Sequence, residues 1–136
     1  MPQGRVETAP QSAPARILVV EDELFIRFAI AEALRELGVS VVEAASADEA
    51  WLYLTNGGMV DLVFTDHRMP GSMTGAQFAS RIRQQYPMLT VMVTSGHFDD
   101  EGWSEPILPK PYDLLKTAAD LAERAALSSR QKESDI

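Results

Sequence analysis

The chain has 136 residues, 46% hydrophobic and 24% charged, the balance of one ordinary globular domain rather than of a disordered or fibrous chain. Its formal net charge of −8 disfavours DNA and anionic membrane as direct partners, because both call for a basic face. The lack of cysteine excludes disulfides, thiol catalysis and thiolate-bound zinc, no apolar run approaches the ~20 residues of a membrane span, and the N-terminus has no secretory apolar centre, so a cytoplasmic protein is expected.

Residues 1–15, rich in Pro, Gln, Ser and Ala, read as a flexible tail, and residues 128–136 read the same way. Residues 16–127 form one domain with no internal repeat. The run from Ile17 to Val20 is a buried strand that stops at Glu21, Asp22 and Glu23. From Leu24 to Leu37, Ile26, Ile30, Leu34 and Leu37 recur at helical spacing, and Gly38 ends the helix. Val39 to Ala44 is a second strand. Ser46 to Glu49 has the form of a capping box and opens a helix through Trp51 and Leu54, closed by Asn56, Gly57 and Gly58. Val60 to Thr65 is a third strand, ending at Asp66.

A loop bearing Gly, Met and Pro runs from there to Gly75. A helix follows with Phe78, Ala79 and Ile82 inward, and it closes near Tyr86 and Pro87. Thr90 to Thr94 is a fourth strand, and Ile107 with Leu108 a very short fifth. Asp113 caps a last helix whose Leu114, Leu115, Ala118, Leu121 and Ala125 make one apolar face. Trp51 and Tyr53 are expected to pack rather than to bind.

Alternating strands and helices predict an α/β fold with a parallel, doubly wound sheet. Ligands of such sheets bind beyond the carboxyl ends of the strands. That rule selects Glu21 and Asp22, Asp66, Thr94 and Lys110. Three converging carboxylates repel one another unless a cation neutralises them, and a hard divalent cation with oxygen ligands, such as Mg²⁺, is the natural partner. A carboxylate nucleophile, Mg²⁺, a lysine and a threonine hydroxyl together suit a phosphoryl group. Each residue alone is ordinary; the ordered set, each member after its own strand, is specific.

The series VVEDE (19–23), TDHRMPG (65–71), VTSG (93–96) and LPKPY (108–112) resembles response-regulator receiver domains of two-component systems, over nearly all of residues 16–127. The resemblance implies a flavodoxin-like five-stranded sheet of order 2-1-3-4-5. It implies Asp66 as phosphoacceptor and Mg²⁺ held by Asp22 directly, Glu21 through water, Asp66 and the backbone carbonyl of Arg68. Thr94 matches the switch hydroxyl and Lys110 the lysine that pairs with the phosphoryl group, with Lys110–Pro111 cis. The phosphodonor it implies is a sensor histidine kinase or a histidine phosphotransferase. His67 and Arg68 are candidates for tuning phosphoryl lifetime, although His67 reads first as an exposed loop residue.

Three departures stand out. Nine positions separate Asp66 from Gly75, one residue longer than the family's usual spacing. Sixteen separate Thr94 from Lys110, too few for the usual loop, helix and loop, so the fourth helix is predicted to be absent or one turn at most. Trp103 is expected to fill the space it leaves, and His97 and Phe98 to anchor the segment. Ile107 stands where many members carry an aromatic switch residue, so aromatic-rotamer switching is not expected.

The functional expectation is a stand-alone receiver, a phosphoacceptor switch that assists its own phosphorylation and dephosphorylation. It would signal through protein contacts, because the residues after 127 cannot form an output domain. The competing readings are a receiver cut from a hybrid histidine kinase, a phosphorylation-independent pseudo-receiver, and an enzyme, a phosphatase or phosphotransferase, with an Asp nucleophile. Arg68 argues against the last, since it occupies the place of that class's second Asp. A flavodoxin lacks support, because no phosphate loop follows the first strand.

Overall fold

The computed structural model describes residues 13–95 and 107–134, and its strands and helices alternate in chain order. They are β1 (Arg16–Val20), α1 (Leu24–Glu36), β2 (Ser40–Ala44), α2 (Ala47–Thr55), β3 (Leu62–Asp66), α3 (Gly75–Gln85), β4 (Thr90–Ser95), β5 (Ile107–Pro109) and α4 (Leu114–Ser134). The strands form one parallel sheet in the order β2-β1-β3-β4-β5. This is the flavodoxin-like arrangement expected from the sequence.

Helices cover both faces. Phe78, Ala79 and Ile82 of α3 and Ala50 and Leu54 of α2 pack on Leu18, Val20, Val63 and Val93. Ile30 and Leu34 of α1 and Ala118, Leu121 and Ala125 of α4 pack on Ile17, Val19, Leu62 and Phe64. A strand covered on both sides needs apolar residues in succession rather than alternately. That is why Ile17 to Val20 of β1 and Leu62 to Phe64 of β3 read as continuous apolar runs, both strands being buried almost throughout. β2, at the sheet edge, is only half-buried over most of its length.

Several boundaries and faces differ from the sequence reading. β3 begins at Leu62, not Val60, because its ladder with β1 starts at the Ile17–Leu62 pair. Asp61 precedes it, its carboxylate accepting the Arg16 N–H at 2.9 Å. Asp66 is the last residue of the strand rather than the first beyond it. Leu37 and Leu115, assigned to apolar faces, are 53% and 72% exposed. The last helix continues past residue 127, where a tail was expected, to Ser134, and no Gly or Pro stands in that stretch to stop it. Residues 1–12 and 96–106 lie outside the described residues, and with them the expectations for the N-terminal tail, the fourth helix, His97, Phe98 and Trp103. Among the described residues no helix is long and apolar enough to cross a membrane.

Candidate phosphoryl site at the carboxyl ends of the strands

Parallel pairing brings the ends of four strands to one edge. Glu21 and Asp22 follow β1 directly, and the Glu21 N–H donates to the Ala44 carbonyl at 3.0 Å, tying the end of β1 to the end of β2. Asp66 ends β3 and lies opposite Thr94 of β4 in the ladder. Lys110 follows β5, and the Lys110–Pro111 peptide is cis, as the resemblance implied.

The side chains converge. Lys110 Nζ lies 3.2 Å from Glu21 Oε1 and 3.2 Å from Asp66 Oδ2. Carboxylate oxygens of Glu21, Asp22 and Asp66 all lie within 4.8 Å of one another. Glu21 and Asp66 are 4% and 8% exposed, whereas Asp22 is open to solvent. Glu21 is therefore not the solvated loop acid that its place after a strand suggests. Its Oε2 accepts the Glu23 N–H at 3.1 Å, and its carbonyl accepts from Arg27 at 2.9 Å. Asp66 Oδ1 accepts the His67 N–H at 2.8 Å. The Thr94 hydroxyl is buried and has no hydrogen-bond partner among the described residues.

Burial pushes the Glu21 carboxyl above its ordinary range. The Asp66 charge adds to that, while the Glu23 N–H and Lys110 pull the other way. Burial alone would lower the Lys110 ammonium, but Asp66 and Glu21 together outweigh it and raise it. Burial, seconded by Glu21, pushes the neighbouring Tyr112 hydroxyl up to about 12, so this ring stays neutral beside the site. Three carboxylates facing one ammonium leave a negative excess in a poorly solvated place. The donors are all oxygens. Such a set fits a hard divalent cation of the Mg²⁺ kind and does not suit a soft metal.

One consequence can be measured without any ligand. A carboxyl whose folded-state pKa is raised stabilises the fold only below its unfolded-state value and loses that contribution as pH rises through the folded value. At pH 7 the ionised Glu21 is therefore a burden on the metal-free fold. Glu21→Gln is expected to raise the metal-free melting temperature at pH 7 by about 2–4 °C. The gap should close as pH falls toward the ordinary carboxylate range. Paired thermal melts at pH 7 and near pH 4.5 check it; a variant that melts below the wild type at pH 7 would contradict it.

The β3–α3 loop is built around the same edge. Gly75 approaches the end of β3 so closely that a Cβ there would overlap the Asp66 carbonyl oxygen and lie 2.7 Å from the His67 Cα. Only glycine fits without moving the end of β3. The Gly75 N–H donates to the His67 carbonyl at 2.7 Å. Thr74 and Gln77 form a reciprocal capping box at the start of α3. The T-x-x-Q spacing carries that signal in the sequence, and the sequence reading overlooked it. The box expected at α2 is made differently: Ser46 caps the Glu49 N–H, but the Glu49 carboxylate accepts the N–H of Ala45, one residue earlier. Met73 is buried, and Ser72 bonds to Asp48 of α2. That contact had no sequence signal, because its partners stand 24 positions apart. His67, expected to be exposed, is half-buried, whereas Arg68 is exposed. Trp51 packs edge-on against Phe78 and Tyr86, and the Tyr53 hydroxyl donates to the Met59 carbonyl. Both aromatic residues pack, as expected.

Comparison with known proteins agrees with this geometry. The family model described as the response regulator receiver domain matches residues 17–110. The sensor kinase CckA of Brucella abortus (strain 2308) is 34% identical over 130 residues, covering 89% of this chain and 14% of the kinase. The chain thus spans a small part of that curated relative. The solved receiver domain of the hybrid histidine kinase CckA is 37% identical, with a TM-score of 0.66, over 82% of this chain and 98% of that one. The response regulator TrrA of Thermotoga maritima, solved in complex with Mg²⁺ and BeF, is 27% identical, with a TM-score of 0.71, over 81% of this chain and 98% of that one.

Proposed function

This chain belongs to the response regulator receiver domain family, and from that premise we propose that it accepts a phosphoryl group on Asp66 from the phosphohistidine of a sensor histidine kinase or a histidine phosphotransferase. One observation carries the reading: Lys110 Nζ bridges Asp66 and the buried Glu21 within a three-carboxylate cluster at the carboxyl edge of the sheet. A surface acid has no need of such surroundings.

In the proposed step an Asp66 carboxylate oxygen attacks phosphorus. The new O–P bond forms as the donor's N–P bond breaks, and the nitrogen keeps the electron pair. Asp22, Asp66 and the Arg68 carbonyl would hold Mg²⁺, with Glu21 acting through water, and the bound cation supplies positive charge to the transferring oxygens. Lys110 balances the Asp66 charge before transfer and faces the phosphoryl oxygens after it. The Thr94 hydroxyl, opposite Asp66 in the ladder, is free to donate to a phosphoryl oxygen. Acquiring that bond would draw Thr94 and the segment after β4 toward the site, a local charge change read as a shape change. The same groups assist the later hydrolysis of the acyl phosphate, with His67 and Arg68 at the mouth setting its rate. Downstream signalling runs through protein contacts.

Intact mass after incubation with acetyl phosphate and Mg²⁺ tests the proposal. The expected result is a gain of one phosphoryl group that EDTA prevents and hydroxylamine removes, the lability of an acyl phosphate. No gain, together with no Mg²⁺-dependent binding of beryllofluoride, would overturn it in favour of a phosphorylation-independent interaction module.

A further inference from the structure

The loop of residues 67–74 leads from the phosphoacceptor to α3, and backbone hydrogen bonds hold its two ends. The His67 N–H donates to the Thr94 carbonyl at 3.0 Å, and the Gly75 N–H to the His67 carbonyl at 2.7 Å. Between those ends the loop is joined to a different element. Asp48, in the first turn of α2, accepts the Ser72 N–H on Oδ2 at 2.8 Å and the Ser72 hydroxyl on Oδ1 at 2.6 Å. Both carboxylate oxygens are used, and both bonds are charge-assisted, which makes them shorter and stronger than neutral ones. The preceding Gly71 has φ +119°, and a Cβ there would lie 2.6 Å from Asp48 Oδ2. Glycine thus clears the space that the carboxylate occupies. The Ser72 hydroxyl, and then its N–H, hold the Asp48 carboxyl below the usual carboxylate range, so the pair is intact at neutral pH.

The first turn of α2 is itself joined to the acidic pair. The Ala44 carbonyl accepts the Glu21 N–H at 3.0 Å, the Ala45 N–H donates to Glu49 at 2.6 Å, and Ser46 caps the helix. A ring of contacts therefore runs from Glu21 through Ala44 to Asp48, across to Ser72, and back along the loop through His67 to Asp66. The Asp48–Ser72 link closes that ring where the sheet does not. We infer that Asp48 and Ser72 form a latch that positions the elongated β3–α3 loop, and with it the Arg68 carbonyl, for cation binding and phosphoryl transfer at Asp66. Asp48 is a positioning residue acting through Ser72. The inference rests on the phosphoacceptor reading and adds to it a residue on a different helix.

The test is a Mg²⁺ titration of the whole chain by calorimetry, followed by the rate of phosphoryl gain from acetyl phosphate. Asp48→Ala is expected to weaken Mg²⁺ binding about fivefold and to slow phosphoryl gain by a similar factor, the scale set by one or two net hydrogen bonds. Ser72→Ala, which keeps the N–H contact, should lose less. Asp48→Asn, which keeps one acceptor, should recover part of the loss. The double variant should be no worse than Asp48→Ala alone, because both changes act through one pair. Metal-free melting temperatures within a few degrees of the wild type separate a positioning role from a folding defect. Should Asp48→Ala fail to fold, Ser72→Ala, an exposed loop change, decides the matter. Wild-type Mg²⁺ affinity and rate in the single variants, or additive losses in the double, would overturn the latch. A wild-type chain that neither binds Mg²⁺ nor gains a phosphoryl group would overturn the phosphoacceptor reading and the latch together, and that failure is visible before any substitution is made.

Discussion

Asp66→Asn is expected to gain no phosphoryl group from acetyl phosphate and Mg²⁺ under conditions where the wild-type chain gains one. The amide has the volume of the carboxylate, and its oxygen can still accept the His67 N–H that Asp66 Oδ1 accepts at 2.8 Å. The end of β3 should therefore keep its place opposite Thr94. What the variant loses is the proposed nucleophile, because an amide oxygen carries no full negative charge. It also loses one of the three carboxylates that could hold a cation, so Mg²⁺ binding should weaken as well. Intact mass and a Mg²⁺ titration on the same sample check both statements. A phosphoryl gain that persists in the variant would move the acceptor elsewhere, and peptide mapping would then have to find it.

Lys110→Ala is expected to slow phosphoryl gain by a factor on the order of 10² to 10³, the usual loss when one preorganised charge donor is taken from a transferring oxygen. The lysine is the basic group within 3.2 Å of both Glu21 and Asp66. Its removal leaves two poorly solvated carboxylates facing each other without compensation. Breaking a buried pair in this way costs more than the pair was worth, because the remaining charge stays desolvated. Lys110 is partly open to solvent, at 22% side-chain exposure, so a metal-free destabilisation of about 1–3 kcal/mol is expected rather than the full penalty of a sealed pair. Mg²⁺ should restore much of the stability, because it supplies positive charge to the same oxygens, but it should not restore the rate. The pH dependence has a definite sign. The ammonium's raised pKa means that its contribution is present below the unfolded-state value and is lost as pH climbs through the folded one. On the alkaline side the melting-temperature gap between wild type and variant should therefore persist until strongly alkaline pH, and in acid it should shrink as the carboxylates that Lys110 faces are protonated. Thermal melts with and without Mg²⁺, beside rate measurements, test the prediction; a variant that phosphorylates at the wild-type rate would remove Lys110 from the site.

Much of the architecture was legible in the residue pattern. A strand that is covered on both faces must be largely apolar, and Ile17 to Val20 of β1 and Leu62 to Phe64 of β3 show that pattern. Glycines at the ends of the first two helices mark turns that only they enter easily, and Gly38 and Gly57 do have positive φ. Order along the chain, combined with the parallel-sheet rule, was enough to place Glu21, Asp22, Asp66, Thr94 and Lys110 at one edge. The periodic pattern was less informative about faces. Leu37 and Leu115 continue an apolar stripe in the sequence, yet they are exposed: Leu37 is the cap just past α1, and beside Leu115 it is Leu114 that packs on the core.

The sequence by itself therefore determined the element order, the sheet topology and the identity of the strand-end residues, since short-range periodicity and chain order encode these. Tertiary structure alone decided what those residues became. It buried Glu21, set Lys110 between two carboxylates from different strands, left the Thr94 hydroxyl without a partner among the described residues, and joined Ser72 to an aspartate on another helix. The physical reason is separation along the chain. Glu21 and Lys110 stand 89 positions apart, and Asp48 and Ser72 stand 24 apart. No local pattern carries a distance of that kind. It arises only when the sheet closes and the desolvation of each charge is set by whatever the fold has packed beside it.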